Sequence, residues 1–184
     1  MGKHHLVLGS MQDVISGSII EDNHDNRYRQ KIARILLKKG YERNQIQARI
    51  PVVLKCDNKK ALIHLDFLIQ NQSKHTCFLI RYGPGSIVTR RTPSRAAAML
   101  TGSPLLIVTN GEDAELIETR SGQILAQGLE AIPFPEELPE PGTTIPVLSA
   151  ETRERCHRIL YAFEINDACP CDENICYLDN GDYP

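Results

Sequence analysis

The chain has no tryptophan, few aromatic residues and no long uninterrupted apolar stretch. A membrane-spanning helix needs roughly 18 or more consecutive apolar residues, so the sequence predicts no membrane partner. The first residues lead into only a short apolar stretch at 6–8, which does not resemble a secretory signal. Six cysteines in a chain without an export signal indicate a reducing cytoplasm, in which thiols are free or bind metal.

The two halves of the chain carry opposite charge. Residues 1–100 contain 17 Lys and Arg against 7 Asp and Glu, whereas residues 101–184 contain 4 against 16. A basic half of this kind can follow the phosphates of a nucleic acid. It can equally attract the acidic half within one fold, and composition alone leaves both interpretations open.

Hydrophobic spacing and turn residues predict an α/β fold with a mixed sheet. Asn23 or Asp25 can cap the first helix, which Gly40 ends. Short turns between the next three strands predict an antiparallel meander. The predicted elements are a helix from about residue 24, strands at 47–56, 61–70 and 76–82, a short helix at 95–100 capped by Thr92–Ser94, a buried strand at 104–109, and a hairpin of 114–119 with 123–129.

Proline and glutamate divide the chain into three parts. Residues 1–131 form the α/β domain. Residues 132–148 carry five prolines with glutamates between them, which predicts an extended linker. Residues 149–184 are predicted to form a helix capped by Ser149 and a tail that contains cysteines, packed on the domain.

Short motifs accompany several of these elements. They are Asp25–Gln30 and Lys39–Tyr41 at the two ends of the first helix, His64–Leu68 and Ile80–Ser86 on the second and third strands, and Thr109–Gly111 after the buried strand. Together they resemble the N-terminal domain of type I restriction R subunits, in a small stand-alone form, over about residues 20–131. The resemblance implies a PD-(D/E)xK, restriction-endonuclease-like core, ordered as helix, three-stranded antiparallel meander, helix, strand and hairpin, here with a C-terminal helix and tail.

The same resemblance implies a catalytic site. In such a site two carboxylates hold Mg²⁺, and a lysine orients the attacking water. Asp66 occupies the position of the first carboxylate, but Arg81 and Gly83 occupy the positions of the Glu and the Lys. We therefore expect a degenerate catalytic motif in a nucleic-acid-binding or protein-interaction module that needs no cofactor. DNA, a protein partner or a second copy of the chain is compatible with this module.

A second hypothesis is a divergent, Mg²⁺-dependent DNA endonuclease whose missing roles have migrated. The candidates are Glu21 or Asp25 for the carboxylate and Lys55 or Arg90 for the lysine.

Strand alternation gives an independent prediction for Asp66. It places His64 and Asp66 on one face, opposite Ile63, Leu65 and Phe67. If the turn at 71–75 pairs the strands symmetrically, Asp66 lies across from Arg81, which predicts an ion pair where a metal would otherwise bind. The alternative is a partly exposed Asp66 with no partner.

Four arginines surround a glycine-containing loop after the third strand. The residues concerned are Arg81, Gly83, Gly85, Ser86, Arg90, Arg91 and Arg95. Glycines let backbone N–H groups approach an anion, and guanidinium groups fit phosphate oxygens, so the loop predicts a contact with phosphate or nucleic acid. The alternative is a tight turn whose arginines pair with the acidic second half.

A third hypothesis rests on cysteines. Cys156, Cys169, Cys171 and Cys176 could bind zinc or an iron–sulfur cluster, which would make the chain a small metal-binding accessory protein. Their Cys-x-Cys spacing is tighter than the usual Cys-x2-Cys, so reduced thiols in the tail are the alternative.

Overall fold

The computed structural model describes residues 6–138 and 147–166, together with the backbone of residues 176–178. The strands are β1 Ser10–Gln12, β2 Ile19–Glu21, β3 Ile46–Cys56, β4 Lys59–Gln70, β5 Thr76–Tyr82, β6 Leu105–Thr109, β7 Ala114–Glu118, β8 Ile124–Gln127 and β9 Cys176–Leu178. The α-helices are α1 His24–Lys38, α2 Ile87–Thr101 and α3 Ala150–Tyr161. Single turns of 3-10 helix lie at 43–45, 129–131 and 135–137, and a π-helical turn at 162–166 follows α3.

One mixed sheet holds most of the strands, in the order β3-β4-β5-β6-β7-β8. The pairs β3–β4 and β4–β5 are antiparallel, β5 and β6 are parallel, and β6–β7 and β7–β8 are antiparallel. The short strand β9 pairs with β4 at Lys60–Leu62, and β1–β2 form a separate ribbon that the sequence did not predict. The predicted mixed α/β class and the meander of three strands are confirmed.

Helices cover both faces of the sheet. On one face α1 contributes Ile32, Ala33 and Leu36 to a cluster with Phe67, Phe78 and Ile80. On the other face α2 and α3 contribute Ala97 and Leu160 to a cluster with Ile63, Leu65, Leu79 and Leu106. The parallel strands β5 and β6 are buried on both faces, in agreement with the unbroken apolar sequence of β6.

The start of α1 agrees with its predicted cap, whereas the start of α2 does not agree with the prediction. Asn23 Oδ1 accepts the N–H of Asn26 at 2.9 Å. The predicted α2 cap at Thr92–Ser94 is wrong, because α2 begins at Ile87 and contains Pro93 in its interior. Proline removes one helical hydrogen bond, but the packing of Ala96–Ala98 in the core holds the helix through this position.

The first residues of the predicted linker pack against the domain. Ile132 is completely buried, and the Tyr41 hydroxyl donates to the Pro133 carbonyl at 3.0 Å. Residues 139–146 of the predicted linker lie outside the described residues. The predicted cap of α3 is confirmed, since Ser149 Oγ accepts the N–H of Thr152 at 3.1 Å. In the described parts of the chain, no helix has the length and apolar character to cross a membrane.

Candidate functional site

Asp66 lies on β4, next to the point where β4 and β5 of the meander stop pairing. The pairing of β4 with β5 ends at Phe67 and Ile80, and beyond this point β4 pairs with β9 instead. On the other side of β4, Arg49 lies opposite Asp66 with a left-handed backbone, φ 53°, which interrupts the extended conformation. Asp66 therefore occupies a fork between strands, and only 5% of its side chain is exposed.

The faces of β4 exchange at this fork. Ile63 and Leu65 pack in the cluster with α2 and α3, whereas Phe67 packs in the cluster with α1. The prediction that these three residues share one face is therefore wrong, because the alternation of β4 shifts between Leu65 and Phe67, opposite the left-handed residue Arg49 of the paired strand β3.

The carboxylate of Asp66 is held by three protein groups. Arg29 Nε donates to its Oδ1 at 2.8 Å, and the backbone N–H of Tyr82 donates to its Oδ2 at 3.0 Å. The predicted contact with Arg81 is present, with 3.8 Å between Nε of Arg81 and Oδ2. The closer ion pair is thus with Arg29 of α1, which the sequence did not predict.

Arg81 has a second and closer carboxylate. Its Nη2 donates to Oε1 of Glu164, in the π-helical turn after α3, at 2.5 Å. The Arg81 side chain is 9% exposed and that of Glu164 is 24% exposed, so the pair is largely withdrawn from water. Arg81 therefore joins the fork to the C-terminal helix.

Arg29 is held in turn by the start of α1 and the end of β5. Its guanidinium lies 5.3 Å from the centre of the Tyr82 ring, and the Tyr82 hydroxyl donates to Asp25 Oδ1 at 3.1 Å. Burial lowers the pKa of Arg29, but the negative charges of Asp66 and Asp25 more than offset this effect, so that its pKa is raised. Arg29 is a permanent cation at this site.

The site is thus a chain of alternating charges across the sheet. It consists of Asp25, Arg29, Asp66, Arg81 and Glu164. Every carboxylate in it faces a guanidinium group, so these interactions can hold α1 and the turn after α3 against the fork in the sheet.

Gly83, at the position expected for the catalytic lysine, is covered by the side chain of Arg90. A Cβ atom on Gly83 would lie only 2.1 Å from Nη1 of Arg90. Arg90 lies across the glycine, donates to the Pro84 carbonyl at 3.1 Å, and has its guanidinium 5.7 Å from the centre of the Phe163 ring. The absence of a side chain at Gly83 is what leaves room for Arg90.

A comparison with models of protein families identifies the family to which this domain belongs. The model of the type I restriction enzyme R protein N terminus matches residues 24–133, which is more than half of the chain. The chain belongs to this family. Among curated proteins, none matches the sequence. The matched range begins at α1 and ends after β8, so it includes Arg29, Asp66 and Arg81 but not Glu164.

The four arginines around the glycine-containing loop after β5 have partners within the fold. Arg91 forms two hydrogen bonds to Glu115, at 2.5 and 2.6 Å, and Arg95 donates to the carbonyls of Thr119 and Arg120. With Arg81 bound to Glu164, two of the arginines have partners in the acidic second half, as the alternative interpretation expects. Gly85 has a left-handed backbone (φ 87°), and Ser86 precedes α2 without a side-chain cap. Phosphate binding by this loop stays a prediction.

The candidates for migrated catalytic roles differ in their positions relative to Asp66. Lys55 pairs with Lys60, which is six residues from Asp66 along β4, or about 20 Å at the rise of a strand. Lys55 therefore cannot act on a water molecule at Asp66. Asp25 does lie in the charge chain, but its Oδ1 accepts from Tyr82. Glu21 is exposed on β2.

The cysteines of the predicted metal site are only partly described. Cys156 is 3% exposed and packs in the cluster with α2 and α3, where burial raises the pKa of its thiol. Cys176 contributes backbone to β9, whereas Cys169 and Cys171 lie outside the described residues. Within residues 6–138 and 147–166, no three His, Cys, Asp or Glu side chains are grouped as a metal ion would require. Zinc or cluster binding by the tail stays a prediction.

Proposed function

We propose that this protein is a restriction-modification-related module with a degenerate nuclease site, in which internal arginines take the place of a divalent cation. It acts by binding nucleic acid or a protein partner, without hydrolysis. The observation that carries this proposal is the state of Asp66: both of its oxygens are engaged, by Arg29 on one side and by Tyr82 and Arg81 on the other.

The order of elements supports the same proposal. A helix, α1, precedes the meander β3–β4–β5, and α2 leads to β6, which runs parallel to β5. This is the order that the resemblance to the PD-(D/E)xK core implies, with Asp66 on the second meander strand. The motif positions on the third strand and just beyond it hold Arg81 and Gly83.

Charge explains why the site does not suit metal-dependent hydrolysis. Mg²⁺ requires oxygen ligands at about 2.1 Å in a nearly octahedral arrangement. Two unit charges of like sign 4 Å apart repel by about 4 kcal/mol near a protein surface, and a divalent ion doubles this. A metal ion at Asp66 would face Arg29 and Arg81 at once and would need to displace both from the carboxylate.

A nicking assay tests the proposal. Supercoiled plasmid is incubated with wild-type protein and with Asp66→Asn, each with Mg²⁺, with Mn²⁺ and with EDTA, at a temperature where circular dichroism shows both proteins folded. We expect the same background rate in every combination. Cleavage that requires metal and is lost in Asp66→Asn would overturn the proposal.

A further inference from the structure

The free end of the β3–β4 hairpin brings like charges together. Lys55 pairs directly with Lys60, and Cys56 pairs with Lys59. All three lysines are exposed. Side chains directly opposite each other in an antiparallel pair are about 5 Å apart at Cβ, and like charges there destabilise the pair. The hairpin thus retains an unfavourable arrangement that an anion would relieve.

Helix α3 adds to this positive charge. Nδ1 of His157 accepts the backbone N–H of Lys55 at 3.4 Å, which fixes α3 beside the hairpin. Arg153 precedes His157 by one helical turn and is exposed. Burial lowers the pKa of His157, and the charges of Arg153 and Lys55 lower it further. His157 is therefore a neutral acceptor within a group of cations.

Lys55, Lys59, Lys60 and Arg153 together are called the basic edge. In the described part of the chain, ion pairs involve Arg27, Arg29, Lys31, Arg81, Arg91 and Arg158, but none involves a residue of the basic edge. The carboxylates of Asp57 at the hairpin turn and Glu154 beside Arg153 lie next to the basic edge in sequence. Asp57 Oδ2 contacts Cys56 Sγ at 3.9 Å, and Glu154 forms an ion pair with Arg158. On its other strand edge, Lys60 pairs through its backbone with Leu178 of β9.

We propose that the basic edge binds the phosphate backbone of a nucleic acid. Lysine and arginine cations contact phosphates and release condensed counterions, and this requires no particular base sequence. A protein interface would instead be centred on aromatic and apolar anchors, and the basic edge contains neither. The inference rests on the nucleic-acid-binding part of the proposed function and does not depend on the loss of catalysis, since Lys60 is about 20 Å from Asp66 along β4.

Two double variants of equal charge test the inference. Lys55→Gln/Lys60→Gln removes two cations of the basic edge. Arg34→Gln/Lys38→Gln removes two exposed cations of α1, which covers the opposite face of the sheet. Neither Arg34 nor Lys38 forms an ion pair with another residue that the structure describes. Binding of a fluorescein-labelled DNA duplex to the full chain is followed by anisotropy over a series of salt concentrations.

We expect salt-sensitive binding by the wild type. Each phosphate contact contributes about 0.9 to the slope of log affinity against log salt, so the hairpin variant should lose about 1.8 from the slope and the α1 variant close to nothing. Thermal melting without DNA should show the hairpin variant at least as stable as the wild type. Absence of salt-sensitive binding, or an equal loss in the α1 variant, would overturn the inference. The nicking assay judges the proposed loss of catalysis separately.

Discussion

Replacement of Asp66 by asparagine distinguishes a structural carboxylate from a catalytic one. The side chain is 5% exposed and interacts with two guanidinium groups and a backbone N–H. Asparagine keeps the shape but removes the charge that Arg29 and Arg81 share. Removing one partner from a buried ion pair typically costs about 3–5 kcal/mol. After the change Arg81 keeps Glu164, whereas Arg29 loses its hydrogen-bonded carboxylate and keeps only the charge of Asp25.

That cost is large beside the total stability of a domain, which is usually about 5–15 kcal/mol. For a chain of this size, a loss of 1 kcal/mol lowers Tm by roughly 2–4 °C. We therefore expect Asp66→Asn to lower Tm by roughly 6–20 °C. Calorimetry and urea unfolding monitored by circular dichroism measure the effect, and a lower midpoint with an unchanged m value shows a change in stability without a change in the surface exposed on unfolding.

Asp22→Asn is the matched control, because Asp22 forms an ion pair with the exposed Arg27 and should contribute far less. A catalytic carboxylate in a metal site behaves in the opposite way, since neutralising it without metal relieves repulsion between carboxylates. If Asp66→Asn is as stable as the wild type, or more stable, the chain of alternating charges does not hold the fork.

Three further changes test other parts of the structure. The pKa of His157 is lowered in the folded state. Its contribution to stability is therefore present above the unfolded pKa of about 6.5 and is lost as pH falls below that value. His157→Gln should flatten the dependence of Tm on pH between about 7 and 5, whereas an unchanged profile would contradict this. Gly111→Ala places a Cβ 2.0 Å from Cδ1 of Tyr28 at a backbone φ of 89°. We therefore expect the free energy of unfolding, measured in urea, to fall by about 1–3 kcal/mol. Wild-type stability would show that the ring can move aside. Ser149→Ala removes the cap of α3 and should cost about 1 kcal/mol in the same assay, with no change at all arguing against the cap.

The sheet was predictable from local patterns. Alternation and short turns define three strands in sequence, and the assumed symmetric turn gives the observed pairs Phe67–Ile80, Leu68–Leu79 and Ile69–Phe78. The same register brings Asp66 across from Arg81. These features depend on residues close together in the chain, where turn length sets the register.

The partners that hold the site were not predictable in this way. Arg29 is 37 residues from Asp66 in sequence, and Glu164 is 83 residues from Arg81. Such contacts depend on how α1 and the turn after α3 pack on the sheet, and no local pattern specifies that packing. One signal was present: Asp25 and Arg29 are four residues apart on a helix and so share a face, which would have pointed to Arg29 as part of the charged site.

Two errors have local physical causes. The exchange of faces in β4 occurs opposite the left-handed backbone of Arg49 in β3, and an arginine gives no warning of that conformation. The early start of α2 follows from tertiary packing, which carries the helix through Pro93 in spite of its local preference.

Crystals of the wild-type protein soaked in Mn²⁺, with anomalous diffraction measured at the Asp66 fork, show whether arginines or a metal ion occupy this site. We predict no anomalous peak there and an intact contact between Arg29 Nε and Asp66 Oδ1, as in the 2.8 Å pair described above. A manganese ion within about 2.5 Å of the carboxylate, with Arg29 and Arg81 displaced from it, would contradict the claim that internal arginines replace the metal.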